Sequence, residues 1–235
     1  MRRLDIRRAI DDARALFARD RDLLIRLAGV LFFLPSFAGL LFLPAAVAET
    51  GQTANQVLLA WFAENAHWLM AEQAVLLLGG GTFYRLYLDP ARPPLGVALQ
   101  RAAAGYLSFL LATLLATLSV FAGLALFILP GAYLLGRTAL AAPAVVAEGK
   151  GAMAALERSF TVTKGQGWLL FGVQALILVV SQLAVVLLSG LDGNGTGLAS
   201  ALVDAAAAVV GTAATMATLL FKIAAWRQLG SSSGT

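Results

Sequence analysis

Few residues of this 235-residue chain could do chemistry, and those few are widely spaced. There is no cysteine, so disulfides and thiolate metal sites are excluded, and a single histidine, His67, rules out a multi-histidine zinc or iron centre. The carboxylates that could serve as acid or base, Glu72, Asp204 and Glu148, form no dyad or triad pattern with His67 or with one another. No catalytic residue, metal site or cofactor is expected. Three ionisable residues do interrupt otherwise apolar runs: Glu72, Arg137 and Asp204. A charge in such a run is costly unless it meets protein, water or a partner. The three stand at similar depth from one end of their runs, so bidentate pairing of the arginine with both carboxylates would make a buried charge centre. The alternative is that Glu72 and Asp204 reach water separately.

The elements that would position these residues are set by composition. The chain is 60% hydrophobic and 13% charged, with mean hydropathy +0.82, which leaves too little polar surface for a water-soluble globule. The net charge of +4 could suggest nucleic acid, but the basic residues crowd into the first 26 positions and into short segments between apolar runs. That is the distribution of the positive-inside rule, and no nucleic-acid partner is expected.

The hydropathy pattern predicts an all-α polytopic membrane protein with six spans and both termini inside. Residues 1–26 carry Leu4, Ile6, Ile10, Ala13 and Phe17 as an apolar stripe among arginines; they form a helix lying in the headgroup region, or a solvated helix packed on the rest of the protein. A first span covers 27–48, kinked at Pro35. Ala46-Val47-Ala48 has the form of a signal-peptidase site, but the long run interrupted by Pro35 and Pro44 reads as a retained span. Thr53 to Gln56 has capping-box spacing and opens a short outer helix anchored by Trp61. Span two follows over 67–87, with Gly79-Gly80-Gly81 allowing close packing. An inner amphipathic segment, Leu95, Ala98, Leu99 and Ala102, leads to span three over 105–129. A turn at Pro130-Gly131 begins span four over 131–147, which leaves through Glu148 and Lys150. A second inner amphipathic segment, Met153, Leu156 and Phe160, leads to span five over 168–188. An outer turn at 192–195, containing the sequon-like Asn194-Gly195-Thr196, reaches span six over 198–225, anchored by Lys222, Trp226 and Arg227. Residues 231–235 read as a disordered tail or an expression remnant.

The same order occurs three times, in units of about 1–89, 90–148 and 149–229: a basic amphipathic segment, a span outward, a turn and a span back. Ala98-Leu99-Gln100-Arg101-Ala102 corresponds to Ala155-Leu156-Glu157-Arg158-Ser159, so parallel repeats are expected. Amphipathic helices resembling one another through composition alone remain the other reading. Either way, Arg7, Arg8, Arg14, Arg101, Arg158, Lys164, Trp226 and Arg227 are expected at lipid headgroups, with Pro130, Gly131, Pro143 and Glu148 as structural positions.

The string Pro130-Gly131, Tyr133, Arg137, Pro143, Glu148-Gly149, Ala155-Leu156, Arg158-Ser159 and Thr163-Lys164-Gly165 resembles the YciC-like membrane proteins. That group is allied to the membrane domain beside some bacterial glycerophosphoryl diester phosphodiesterases. The resemblance implies a bacterial inner-membrane protein loosely connected with lipids. It does not carry over hydrolase activity, which belongs to a separate soluble barrel. The expected function is non-catalytic: binding or organising membrane lipids, anionic ones included, or serving as a membrane module for protein partners. The alternative is a small-molecule, ion or lipid transporter or channel built on the charge centre between spans two, four and six. Whether the chain forms homo-oligomers is left open by its residues.

Overall fold

The computed structural model describes residues 3–44, 51, 53–190 and 197–230. Among them every regular element is helical. α1 (Ile6–Arg19) starts at Asp5, whose carboxylate accepts from the Arg8 N–H at 3.1 Å. α2 (Arg21–Ala28) runs through a π-helical turn at Gly29–Phe33 into α3 (Leu34–Phe42). Pro35 accounts for that turn: it has no N–H for the carbonyl four residues back, and the wider winding before it makes room for its ring. α4 (Ala54–Leu88), α5 (Leu95–Ala104) and α6 (Tyr106–Leu126) follow. Then come α7 (Ile128–Thr138), α8 (Ala141–Glu148), α9 (Ala152–Val162), α10 (Gly167–Ser189) and α11 (Leu198–Leu229).

Among the described residues five stretches are long and apolar enough to cross a membrane: Arg21–Phe42, Tyr106–Leu126, Ile128–Glu148, Gly167–Ser189 and Leu198–Leu229. The chain thus has the make-up of a multi-pass membrane protein. The expected second span is the exception among six. The Thr53–Gln56 capping box forms, but it opens one continuous helix of 35 residues instead of a short outer helix and a separate span. The physical reason is that neither Gly nor Pro interrupts the winding before Gly79. At about 52 Å the helix has length in excess, but Glu64, His67, Glu72 and Gln73 leave it less apolar than the other five. The Trp61 indole donates to the Pro44 carbonyl at 2.6 Å and ties this helix to the end of α3.

The turn between α6 and α7 lies at Phe127, earlier than the expected Pro130-Gly131. Pro130 sits in the first turn of α7, where its missing N–H would have had no helical partner. Gly131 serves packing instead: a Cβ there would run into the Leu124 side chain, and one at Gly123 would lie 2.9 Å from the Gly131 backbone. Several expectations lie outside the described residues: the Ala46-Val47-Ala48 site, the turn at 192–195 with Asn194, and the tail at 231–235.

Burial is concentrated at one end of the bundle. There α1 lies on α11, with Leu4 and Ala9 buried in one cluster with Phe221, Trp226 and Leu229, to which Leu140, Ala144 and Leu170 also belong. An adjoining cluster joins Leu16, Leu24 and Phe32 to Phe83, Tyr84, Phe109 and Ile223. At the other end the helices expose large apolar side chains, among them Leu126, Phe127, Ile128, Val186, Leu187 and Leu198. Water would penalise such a surface, whereas lipid would cover it. Of the three consecutive glycines, Gly79 makes the closest approach, lying under the Phe32 ring.

Candidate functional site

The most constrained polar structure in the bundle is a helix break. Pro143 cannot extend α7 because its ring would meet the carbonyl of Ala139, so winding stops at Thr138 and restarts at Ala141. The break frees backbone groups in a buried setting, and hydroxyls from α9 satisfy them. Ser159 donates to the Arg137 carbonyl at 2.7 Å and accepts from the Leu140 N–H at 3.2 Å. Thr163 is directed at the same Arg137 carbonyl at 3.1 Å and at the Ser159 carbonyl at 2.6 Å. Both hydroxyl residues are fully buried. Serine and threonine supplied from a neighbouring helix are what let proline break a helix away from water.

The Arg137 side chain turns toward aromatic rings. Its guanidinium carbon lies 5.3 Å from the Phe160 ring centroid and 5.8 Å from that of Tyr133, and its Nη1 is buried without a hydrogen bond. No ion pair joins it to Glu72 or Asp204 among the described residues. Glu72 packs instead by α3, its carboxylate 3.2 Å from where a Gly39 Cβ would stand. Asp204 is half-buried near the start of α11. The depth argument fails for Arg137 because α7 begins at Ile128 and breaks after Thr138, which places the arginine beside α9 and the start of α10. Gly136 allows this approach, since a Cβ there would collide with the Gly167 carbonyl.

The expected headgroup residues divide into two sets. Arg7, Arg8, Arg14 and Lys164 are exposed. Arg101 and Arg227 are exposed as well, but with Arg158 and Trp226 they make contacts that hold the buried end together. Arg101 pairs with Asp89 at 2.8 Å, with Arg85 at 3.8 Å on the same carboxylate. Arg158 pairs with Glu148 at 2.7 Å, donates to the Gly230 carbonyl at 3.2 Å and lies over the Trp226 ring. Lys150 meets the second Glu148 oxygen at 2.7 Å, and Arg227 donates to the Tyr87 carbonyl at 2.9 Å. Trp226 is buried, not interfacial, because α1 and α9 close over the end of α11. Burial alone would raise the Asp89 carboxyl, but the Ala91 N–H and the Arg101 guanidinium outweigh it and hold Asp89 below the ordinary aspartate range. The Arg19 hydrogen bond likewise lowers Asp20, with burial opposing and the Tyr87 hydroxyl at 2.9 Å adding to the effect.

Two cavities carry cations. A crevice of about 380 Å³ between α1, α10 and α11 is lined by Ile10, Ala13, Phe17, Leu176 and Ile177 among other apolar residues, with Arg14 its one charged residue. A second, of about 330 Å³, lies between α6, α7, α8, α10 and α11 and contains Lys222, Gln174, Thr113, Thr117 and Thr138. Lys222 looked like an interface anchor because Trp226 and Arg227 follow it. Its cavity depends on threonines from distant helices, which no local spacing reveals.

No family model matches the chain, and no curated protein or solved structure matches it.

Proposed function

We propose that the chain is a non-catalytic, six-span inner-membrane protein, with both termini cytoplasmic, that binds anionic lipid of the cytoplasmic leaflet. The observation that carries this reading is the α1 crevice, where one exposed arginine, Arg14, stands at an otherwise apolar cleft. A lipid phosphate at the guanidinium would leave an acyl chain free to lie against Phe17, Leu176 and Ile177. Asp11 and Asp12 share α1 with the arginines, but neither lines the cleft. Arg7 and Arg8 add attraction to an anionic surface, at about 1 kcal/mol for each basic residue near it. The order of elements supports parallel repeats: α1, α2–α3 and α4; then α5, α6 and α7–α8; then α9, α10 and α11. The YciC-like string supports the bacterial inner-membrane assignment by resemblance. The transport alternative needs Glu72, Arg137 and Asp204 on one axis, and the absence of any ion pair among them gives it no support.

Lipid retention on the purified full chain tests the reading. Native mass spectrometry should show phosphatidylglycerol retained over phosphatidylcholine, and Arg7→Gln, Arg8→Gln and Arg14→Gln together should lower that preference by about a hundredfold. Equal retention of the two lipids by the unaltered protein would refute it.

A further inference from the structure

We infer that the Lys222 cavity is a second, intramembrane site for an anionic amphiphile, its charged head at the lysine and its chain along α6. The inference deepens the lipid-binding reading and rests on it, but at a different place in the bundle. Lys222 is part-buried within an apolar helix and makes neither a hydrogen bond nor an ion pair among the described residues. No carboxylate lines its cavity. A cation in that position calls for an anion, because an unpaired charge away from water is costly.

The polar groups around it suit such a head. The Gln174 side-chain amide donates to the Leu170 carbonyl at 3.1 Å and has a second N–H to offer. The Thr117 hydroxyl makes no hydrogen bond among the described residues and is available as a donor. Thr113 and Thr138 donate to their own helices, to Phe109 and Leu134 at 2.9 Å each, and so present only lone pairs. Those lone pairs suit the hydroxyl or protonated oxygen of a head group. Donors and acceptors thus line the cavity that holds this one ammonium.

The rest of the cavity is apolar and directional. Thr113 lies near the α5 end of α6, whereas Val120, Phe121 and Leu124 lie nearer the other end, Leu124 being roughly 16 Å from Thr113 along the axis. Phe121 and Leu124 are also exposed on the outer surface of α6, so the cavity opens sideways where lipid tails would lie. A small inorganic anion would leave this apolar arm unused. A cytoplasmic-leaflet amphiphile would fill both parts, its head about 10 Å inward from the end of α11 at Leu229.

The test uses the full chain carrying Arg14→Gln, which disables the α1 crevice, so that failure here is separable from failure of the surface reading. Phosphatidylglycerol, oleate and phosphatidylcholine are offered separately in detergent, and retention is read by native mass spectrometry. Phosphatidylglycerol or oleate should be retained, and Lys222→Met should reduce its retention at least tenfold; whichever is lost identifies the source of the anionic head. Lys222→Arg should keep most of the retention. Val120→Phe should reduce it while leaving the cation in place, which guards against a folding defect peculiar to the lysine variant. Unchanged retention in Lys222→Met would overturn the site, and displacement of lipid by millimolar inorganic phosphate would overturn the role of the apolar arm.

Discussion

The Ser159 hydroxyl bridges the two sides of a broken helix, donating to the Arg137 carbonyl at 2.7 Å while accepting from the Leu140 N–H at 3.2 Å. One side chain of α9 thus satisfies two backbone groups that Pro143 forces out of helical pairing. Removing it leaves both buried and unsatisfied. Ser159→Ala should cost about 1–3 kcal/mol, and Thr163→Val less, because Ser159 still serves the shared carbonyl. Pro143→Ala restores an N–H and should relieve part of the Ser159→Ala loss by letting the helix close. Thermal unfolding in detergent of the single and paired variants reads this directly, and equal losses with and without Pro143 would show that the bridge does not serve the break.

The approach of α7 to α10 depends on Gly136 and Gly167, but unequally. A Cβ on Gly136 meets the Gly167 backbone, whereas one on Gly167 meets chiefly the flexible Arg137 stem at 2.9 Å and the Tyr133 ring at 3.0 Å. Backbone cannot yield as a side chain can. Gly136→Ala should therefore destabilise by more than the roughly 1–3 kcal/mol typical of overpacking, and Gly167→Ala by less than Gly136→Ala. The order of the two melting temperatures checks the prediction.

Asp89 gives the buried end a defined acid limit. Its folded-state pKa lies below the ordinary 3.8, so its contribution to stability is fully present above the unfolded value and is lost as pH falls through the folded one. Asp20 acts in the same direction. Stability should fall with acid below about pH 4, and Asp89→Asn should flatten that fall while lowering stability at neutral pH. Unfolding followed between about pH 2.5 and pH 7 for both proteins should show the two curves converging at the acid end.

The parts of this fold that are legible in the sequence are those decided locally. The Thr53–Gln56 box announces the start of α4, and Pro35 announces a disturbance in the first apolar stretch, although only the folded chain shows it to be a π turn. Apolar run length predicts six spans, and at five of them the described residues form helices able to cross a membrane. What escapes is decided by neighbours distant in sequence. The break at Leu140 falls within an apolar run and becomes tolerable only through hydroxyls on α9. Arg101 and Arg158 have the spacing of headgroup ligands, but Asp89 and Glu148 reach them first across the corners of the bundle. The sequence places Lys222 at a helix end, and nothing near it suggests the threonines of α6 and α7.

Arg137 provides the sharpest separation between depth and partnership. Depth in an apolar run suggested a carboxylate partner, and with one the double variants Arg137→Leu with Glu72→Gln, or with Asp204→Asn, would show strong coupling. The side chain instead lies against Phe160 and Tyr133 with one nitrogen unpaired, and neither carboxylate is paired to it. Arg137→Leu should then lose cation–π attraction, about 0.5–2 kcal/mol, while removing the burden of a buried unsatisfied nitrogen. The two effects oppose, so the net change should be modest. Both double variants should be additive within about 0.5 kcal/mol, as sites without a shared partner are. Phe160→Leu should couple to Arg137→Leu, since it removes the nearer ring. Coupling to Glu72 or Asp204 above that limit, measured by unfolding in detergent, would restore the charge centre and with it the case for transport.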